Sequence, residues 1–331
     1  MLTNYYNVST SETDEDISSV YIFRMCIHFI LPTIGICANL SAVIVFINCK
    51  LHRGSFTYLL VFQQSLIDLL ANCSYLIFYV IGTKISKLND IYCKSYTLYY
   101  FFIFSSSLNL VFISVERYIA VVFPFKYRIR RDHKRSMLLR LSLPFIAAFM
   151  ITFQFVFIRA KHHHYSYCTF NYKNKIIGIF SGIFIFLSIV CFICVMIFCY
   201  YRVYVTLTKQ SKIRAELTNQ SQKNHTNTAG ENDQNVQDFE MGNSPIQSYN
   251  INKAQRNFID TMFINTLIYI VCNFPMGVLY LVHTICECTH YIFYYIFLFM
   301  VLLNTVANPF VYAYKFDDYR NGLSRTFCRR C

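Results

Sequence analysis

The chain has 331 residues, of which 55% are hydrophobic and 14% are charged, and its formal net charge is +13. Soluble domains carry about a quarter of charged residues, so this composition excludes an ordinary water-soluble protein. The apolar residues fall into seven blocks, each long enough to cross a bilayer as a helix of about 20 residues. We therefore predict an all-α integral membrane protein with a seven-transmembrane helix bundle over residues 25–314. The predicted spans are Met25–Ile47, Phe56–Ile81, Tyr92–Phe123, Leu138–Ile158, Ile176–Leu207, Phe258–Ile285 and Tyr291–Tyr314.

The N-terminal tail, residues 1–24, is polar and acidic. It lacks the basic region and short apolar core of a cleavable signal peptide, so we expect the first block to be a permanent helix. Placing this tail outside the cell leaves 21 of the 30 Lys and Arg residues on the cytoplasmic side. The positive-inside rule favours that orientation. Asn7, in the sequon Asn-Val-Ser, is then a glycosylation candidate.

Four polar residues within the apolar blocks stand out: Asn39 in the first, Asp68 in the second, and Asn304 and Asn308 in the seventh. A carboxylate inside a membrane needs partners, and amides on neighbouring helices can supply them. The asparagines could simply hold helices together. For Asp68, a lone acid within its span, a functional role is the stronger interpretation.

The third block contains an acid and a base side by side, in the sequence Ile-Ser-Val-Glu-Arg-Tyr-Ile-Ala, which includes Glu116, Arg117 and Tyr118. Charges are costly in apolar surroundings, so their retention predicts a function. The alternative is a pair at a helix end whose charged groups reach out to water.

Two polar segments lie on the predicted cytoplasmic side. Residues 209–255 are rich in Asn, Gln, Ser and Thr and have too few aromatic residues to build a core, which predicts a disordered third cytoplasmic loop. Residues 315–331 place apolar side chains at helical spacing, with acids first and bases last. They predict a short amphipathic eighth helix on the inner membrane face, with a frayed basic tail as the alternative. Cys328 and Cys331 are palmitoylation candidates there.

Taken in chain order, these motifs resemble the signatures of the rhodopsin-like family of G-protein-coupled receptors. The matching residues are Asn39, Asp68, Glu116-Arg117-Tyr118, Tyr200, Cys272-Asn273-Phe274-Pro275 and Asn308-Pro309-Phe310-Val311-Tyr312. The resemblance implies a disulfide between Cys93 and Cys168. The chain also departs from the family pattern: it has no Trp, and Gln255 stands where an acid often pairs with the arginine. This predicts a loosely held inactive state with basal activity.

The resemblance implies a receptor in the plasma membrane that binds an extracellular ligand and activates a heterotrimeric G protein, and not an enzyme. Glu116 is expected to neutralise Arg117 until the partner binds, and Pro275 is expected to act as a hinge. Tyr200 and Tyr312 would hold Arg117 in the active arrangement. Tyr118, Asn308 and Pro309 complete the predicted switch. Asp68, Ser106, Asn304 and Asn308 resemble the sodium pocket of the family, and no other cofactor is expected.

The ligand is constrained by two absences. No lysine lies near Leu302, which disfavours a retinal-binding protein, and no aspartate occurs in the upper third block, which disfavours a biogenic amine. The outer third offers aromatic and apolar candidates that suit a neuropeptide first, or a lipid or other small molecule second. They could equally be packing or interface residues. The candidates are Tyr99, Tyr100, Ile103, Met276, Tyr280, His283, Tyr294 and Leu298. Residues 159–175 could form a hairpin lid above them.

The rival class is a transporter or channel. Seven spans divide poorly into repeats, no interrupted helix pair is visible, and no ring of charges suits a pore, so the sequence favours a receptor. No nucleophile and base converge on one helix face, which argues against an enzyme.

Overall fold

The structure is a computed structural model that describes residues 22, 25–84, 90–125, 127, 134–161, 168–170, 175–228, 245–286 and 291–327. Within these ranges, seven helical segments are long and apolar enough to cross a membrane. The predicted seven-helix bundle is confirmed. The spans are Cys26–Asn48, Phe56–Gly82, Asp90–Val122, Met137–Ile158, Lys175–Ile213, Ile259–Cys286 and Phe293–Lys315, and they are called the first to the seventh span below.

The helices within these spans are not all continuous. The first span begins with a π-helical turn, Cys26–Ile30, and continues as the α-helix Leu31–Asn48; a 3₁₀ turn, Leu51–Arg53, leads to the helix Phe56–Lys84. The third span consists of Asp90–Ser95 and Thr97–Val122, and the fourth of Lys134–Thr152 and Phe155–Ile158. The remaining helices are Lys175–Thr228, Pro245–Cys286, Tyr291–Lys315 and Asp317–Phe327.

The fifth and sixth helices correct the prediction of a disordered loop over residues 209–255. The fifth helix continues to Thr228 and the sixth begins at Pro245, so both ends of the predicted loop are helical, and residues 229–244 lie outside the described ranges. The physical reason is that extending an existing helix avoids the cost of nucleation. Amino-acid composition alone suggested disorder because it does not take into account that the membrane-spanning helices already supply the nucleus.

A short hairpin lies beside the start of the third span. Strand β1, Arg159–Lys161, pairs antiparallel with strand β2, Cys168–Phe170, with Arg159 opposite Phe170 and Lys161 opposite Cys168. The helix Asp90–Ser95 contacts β1, and Cys93 within it is disulfide-bonded. The side chain of Cys168 is not described, so the pairing of Cys93 with Cys168 stays a prediction.

The bundle is closed around the third span, which contacts the second, fourth, fifth and sixth spans, while the seventh contacts the first and the sixth. The third span is also the most deeply buried of the seven. Many large apolar side chains on the other spans are exposed, as expected where a bilayer covers the surface. The buried polar side chains therefore lie in the centre of the bundle, where the third span contacts most of the other spans.

The terminal helix, Asp317–Phe327, packs against the end of the bundle that carries Arg117, called the Arg117 end below; the other end is the Cys93 end. Tyr319 is buried beside Phe46, with ring centroids 5.8 Å apart, and burial raises the pKa of Tyr319 to about 12. Gly322 lies so close to the first span that a Cβ there would be 2.8 Å from Cγ1 of Val45. The predicted amphipathic eighth helix is confirmed, and its apolar face covers the first span.

Candidate functional site

A network of buried polar side chains surrounds Asp68 in the middle of the bundle. Asp68 has no exposed surface. Its Oδ1 accepts a hydrogen bond from the Ser106 hydroxyl at 2.6 Å, and its Oδ2 accepts from Gln64 Nε2 at 3.0 Å and from Asn308 Nδ2 at 2.7 Å. The carboxylate thus connects the second, third and seventh spans.

Further hydrogen bonds hold the Gln64 side chain in its position beside Asp68. Gln64 Nε2 also donates to the Ser106 oxygen at 2.7 Å, while Gln64 Oε1 accepts from Asn109 Nδ2 at 2.9 Å. Asn109 Nδ2 in turn donates to the Leu60 carbonyl at 3.1 Å. Neither Gln64 nor Asn109 was predicted from the sequence. Gln64 could have been found, because it lies four residues before Asp68 and therefore on the same helix face.

Neighbouring amides connect the first span to this network. Asn39 Nδ2 donates to the carbonyl oxygen of Thr305 at 2.9 Å, and Asn72 Nδ2 donates to the Thr305 hydroxyl at 3.1 Å and to the Asp68 carbonyl at 2.8 Å. Asn304 is buried, and its Oδ1 has no hydrogen-bond partner among the described residues. The first, second and seventh spans are thereby joined by direct polar contacts.

These residues do not fit the sodium ion that the sequence suggested. A hard cation needs several oxygen ligands with free lone pairs directed at it. Both Asp68 oxygens and the Ser106 oxygen instead receive N–H or O–H donors, and Asn308 directs its nitrogen, not its oxygen, at the carboxylate. Asn304, another of the four predicted ligands, has a buried oxygen that accepts no hydrogen bond from the described residues, and one such oxygen does not make a cation site.

The second group of functional candidates lies at the Arg117 end. Glu116 is 6% exposed, and its Oε1 is 3.4 Å from Nη1 of Arg140 on the fourth span. The Tyr127 hydroxyl also hydrogen-bonds to Glu116, and burial together with this negative charge raises the pKa of Tyr127. Arg140 further lies over the Phe56 ring, 4.5 Å from its centroid. Glu116, which we expected to neutralise Arg117, therefore also has Arg140 as a cationic partner.

The other switch candidates lie around Glu116. Arg117 is mostly buried on the next position of the third span, and Tyr118 packs against Phe198 of the fifth span with ring centroids 5.8 Å apart. The Tyr200 hydroxyl is 3.2 Å from the Ser114 hydroxyl of the third span.

Tyr312 faces the terminal helix. Its ring is stacked on Phe316 with centroids 5.5 Å apart, and its buried hydroxyl has no hydrogen-bond partner in the described part of the chain.

The sixth and seventh spans contain the predicted helix-distorting prolines, Pro275 and Pro309, inside continuous helices. Asn273 donates to the carbonyl of Tyr269 one turn earlier at 3.1 Å, so it is satisfied within its own helix. Asn265 is buried on the same span, and neither its Nδ2 nor its Oδ1 has a partner among the residues described. The Gln255 side chain lies outside the described residues.

The ligand candidates at the Cys93 end form two groups. Tyr99 and Leu298 are buried in one apolar cluster, against which Ile103 packs. Tyr100 contacts Phe155 of the fourth span, with centroids 4.7 Å apart, and Phe155 also contacts Tyr280. Met276 and His283 are half-buried on the sixth span, and Tyr294 is exposed on the seventh.

The tight packing around Tyr99 includes His28, which was not among the residues predicted from the sequence. Its Nδ1 is 2.7 Å from the Tyr75 hydroxyl, and its ring stacks on Tyr79 at 4.0 Å. Aromatic side chains thus fill much of the interior at this end.

An apolar groove of about 490 Å³ opens between the fourth and fifth spans near the Cys93 end. It is lined by Gln154, Phe157, Ile158, Ile177, Phe180, Ser181 and Phe184. The Ser181 hydroxyl lies 3.4 Å from the Tyr280 hydroxyl, so the groove borders one of the predicted ligand residues.

Three predictions fall on residues that the structure does not describe: glycosylation at Asn7 and palmitoylation at Cys328 and Cys331. The tail over residues 1–24 is described only at Ile22.

Comparison with known proteins gives a consistent result. The sequence model of the family described as "7 transmembrane receptor (rhodopsin family)" matches residues 38–312. The chain is similar to the octopamine receptor beta-2R of Chilo suppressalis, with 21% identity over 358 aligned positions that cover the whole chain and 87% of that receptor. It is also similar to lysophosphatidic acid receptor 6 of Mus musculus, with 28% identity over 137 residues, and of Homo sapiens, with 28% over 132 residues. These two matches cover 41% and 39% of the chain, and 40% and 38% of the relatives.

Proposed function

This chain belongs to the rhodopsin family of seven-transmembrane receptors, and we propose that it binds an extracellular ligand and activates a heterotrimeric G protein at the Arg117 end. The observation that carries the proposal is the environment of the acid–base pair at this end. Glu116 is held by Arg140 and Tyr127, and Arg117 lies beside it on the most central helix. Keeping a charged pair inside an apolar bundle is costly, and we infer that the arginine is retained because it contacts a partner in a second state of the receptor.

The proposed switch follows from the contacts at this end. In the present arrangement, the Tyr200 hydroxyl is close to Ser114, and the Tyr312 hydroxyl has no partner in the described part of the chain. Rearrangement of the sixth and seventh spans would bring Tyr312 to a polar partner, which lowers the energy of the active state. Pro275 and Pro309 allow these helices to bend, since each proline removes a backbone hydrogen bond.

Arg117→Ala tests the proposed G-protein site. We expect this variant to reach the cell surface but to lose basal nucleotide exchange on every G protein that the wild type activates. Arg53→Ala, which removes an exposed cation at the same end, is the matched control and should signal normally. Nucleotide exchange at the wild-type level in Arg117→Ala would contradict the proposed mechanism.

The proposed orientation places the N-terminus outside the cell. Its support is the excess of basic residues near the Arg117 end. Asn7 can be glycosylated only in that orientation, so Asn7→Gln should remove an enzyme-sensitive mass shift on expression in eukaryotic cells. Labelling of an N-terminal tag on intact cells gives an independent answer, and labelling only after permeabilisation would reverse the assignment.

For the ligand, we propose an amphipathic lipid in preference to the neuropeptide that the sequence first suggested. The apolar groove between the fourth and fifth spans could accept an acyl chain, and two of the relatives are receptors named for lysophosphatidic acid. The octopamine receptor is also a relative, but residues 95–107 of the third span contain no aspartate to pair with an amine. A peptide would need an open interior, which the aromatic cluster around Tyr99 fills here.

A paired screen separates these ligands. We expect lysophospholipids to raise nucleotide exchange, and peptide and amine collections to leave it unchanged. Phe184→Ala, within the groove, should weaken the response, whereas Ile197→Ala, which is equally exposed on the same span, should not. Activation by a peptide alone would restore the first interpretation and exclude the lipid.

A further inference from the structure

The side-chain amide of Gln64 lies between the oxygens that would otherwise face a cation. Its Nε2 is 3.0 Å from Oδ2 of Asp68 and 2.7 Å from Oγ of Ser106, and it donates to both. Ser106 uses its own proton on Oδ1 of Asp68, at 2.6 Å. One nitrogen with two protons therefore bridges two of the predicted sodium ligands.

The orientation of this amide is fixed by its other end. The Leu60 carbonyl can only accept, so Asn109 must direct its nitrogen there, and the same nitrogen donates to Gln64 Oε1. Gln64 Oε1 is thus the acceptor, and Nε2 must face Asp68 and Ser106. The assignment of the two Gln64 atoms, which geometry alone leaves ambiguous, follows from the backbone carbonyl.

The Asp68 carboxylate is satisfied by these donors and by Asn308. Three hydrogen bonds reach its two oxygens, and no Lys, Arg or His in the described part of the chain is within ion-pair distance. An ionised carboxylate is acceptor-only, so a set made up only of donors is what it requires. A cation could bind between Asp68 Oδ2 and Ser106 Oγ only after displacing the Gln64 amide from both of these oxygens.

We propose that the Gln64 amide takes the place of a monovalent cation as the partner of Asp68, so that this receptor does not respond to Na⁺. Gln64 is a positioning residue: it holds the Asp68 carboxylate between the second, third and seventh spans. In this chain the neutral amide of a side chain, which cannot dissociate from the receptor, binds the carboxylate where an exchangeable ion would otherwise bind it. The ionic composition outside the cell then has no direct effect on the resting state.

The test measures thermal unfolding of the full-length, detergent-purified receptor in NaCl and in choline chloride at equal ionic strength. We expect the wild type to have the same Tm in both salts. Gln64→Ala removes the bridging nitrogen and leaves room beside the carboxylate, so its Tm should be lower in choline and rise by about 2 °C or more in NaCl. Asp68→Asn in the Gln64→Ala background should abolish that rise.

Gln63→Ala is the matched control, because this adjacent glutamine donates to the Leu141 carbonyl at 2.9 Å and does not contact Asp68. It should show no dependence on Na⁺. Gln64→Ser is a milder second variant if Gln64→Ala does not fold. A Na⁺-specific rise in the wild-type Tm that Asp68→Asn abolishes would overturn the proposal. Insensitivity of both Gln64 variants would also overturn it, because the amide would then not be what excludes the ion.

Discussion

The polar network around Asp68 and the polar groups of the sixth and seventh spans differ in how well they are satisfied. Asp68, Gln64 and Ser106 are joined by short hydrogen bonds across the second and third spans. In contrast, both amide atoms of Asn265 and the hydroxyl of Tyr312 are buried with no partner in the described chain. A buried polar group without a partner costs about 1–3 kcal/mol. The third span also has buried groups without a partner in the described chain, such as the Ser105 hydroxyl, so what holds it to the second span is the set of hydrogen bonds around Asp68. The unpartnered groups of the sixth and seventh spans favour a rearrangement of these helices.

This contrast explains how one bundle can be both stable and switchable. A ligand shifts an equilibrium only through a difference in its affinity for the two states, and the two states must be close in energy. Unsatisfied groups on the mobile helices raise the energy of the resting state and narrow that gap. The hydrogen bonds around Asp68 keep the rest of the bundle in place, so that the small energy difference between the two states does not destabilise the fold.

The largest effect is expected from Asp68→Ala. This change removes the acceptor for Ser106, Gln64 and Asn308 at once and leaves three buried donors, so we expect a loss of about 3 kcal/mol or more. The measurement is the Tm of the purified receptor together with its surface expression. Asp68→Asn, which keeps one acceptor oxygen, should lose clearly less. Equal losses in the two variants would mean that volume, and not hydrogen bonding, matters at this position.

A smaller effect on stability, but a clear one on signalling, is expected from Arg140→Ala. Glu116 then loses its cation on the fourth span, and the pair is only partly buried, so the cost is about 1–2 kcal/mol. Because Glu116 becomes free to leave its position, basal nucleotide exchange should rise several-fold.

The controls for Arg140 are Arg140→Lys and Arg202→Ala. Lysine keeps the charge but not the planar group over Phe56, so basal exchange should rise only slightly. Arg202 is exposed on the fifth span, and its removal should leave exchange unchanged. Basal exchange at the wild-type level in Arg140→Ala would show that this ion pair does not restrain the switch.

The sequence predicted the architecture well but predicted these contacts only in part. Seven apolar blocks placed all the spans within a few residues, because hydrophobic length is a local property of the chain. The position of Asp68 inside the second span was equally predictable. Gln64 could have been found as a partner of Asp68 from its place one helical turn earlier. That Arg140 is the partner of Glu116 could not, since which donors reach a carboxylate from another span depends on the rotation of helices distant in sequence. The prediction of disorder at both ends of the third cytoplasmic loop was wrong, because amino-acid composition does not show that a membrane-spanning helix continues into the loop.

The smallest effect on stability, and the sharpest test of the contrast, comes from paired Tyr→Phe changes. Tyr312→Phe removes a hydroxyl with no partner in the described chain, so the Tm should stay the same or rise slightly. Tyr200→Phe removes a hydroxyl that contacts Ser114, so we expect a loss of about 1 kcal/mol. Both variants should lower agonist-independent nucleotide exchange, because both hydroxyls are proposed to serve the active state. If Tyr312→Phe were as destabilised as Tyr200→Phe, the wild-type Tyr312 hydroxyl would already have a partner in the resting state. An unsatisfied hydroxyl would then not be what favours movement of the seventh span.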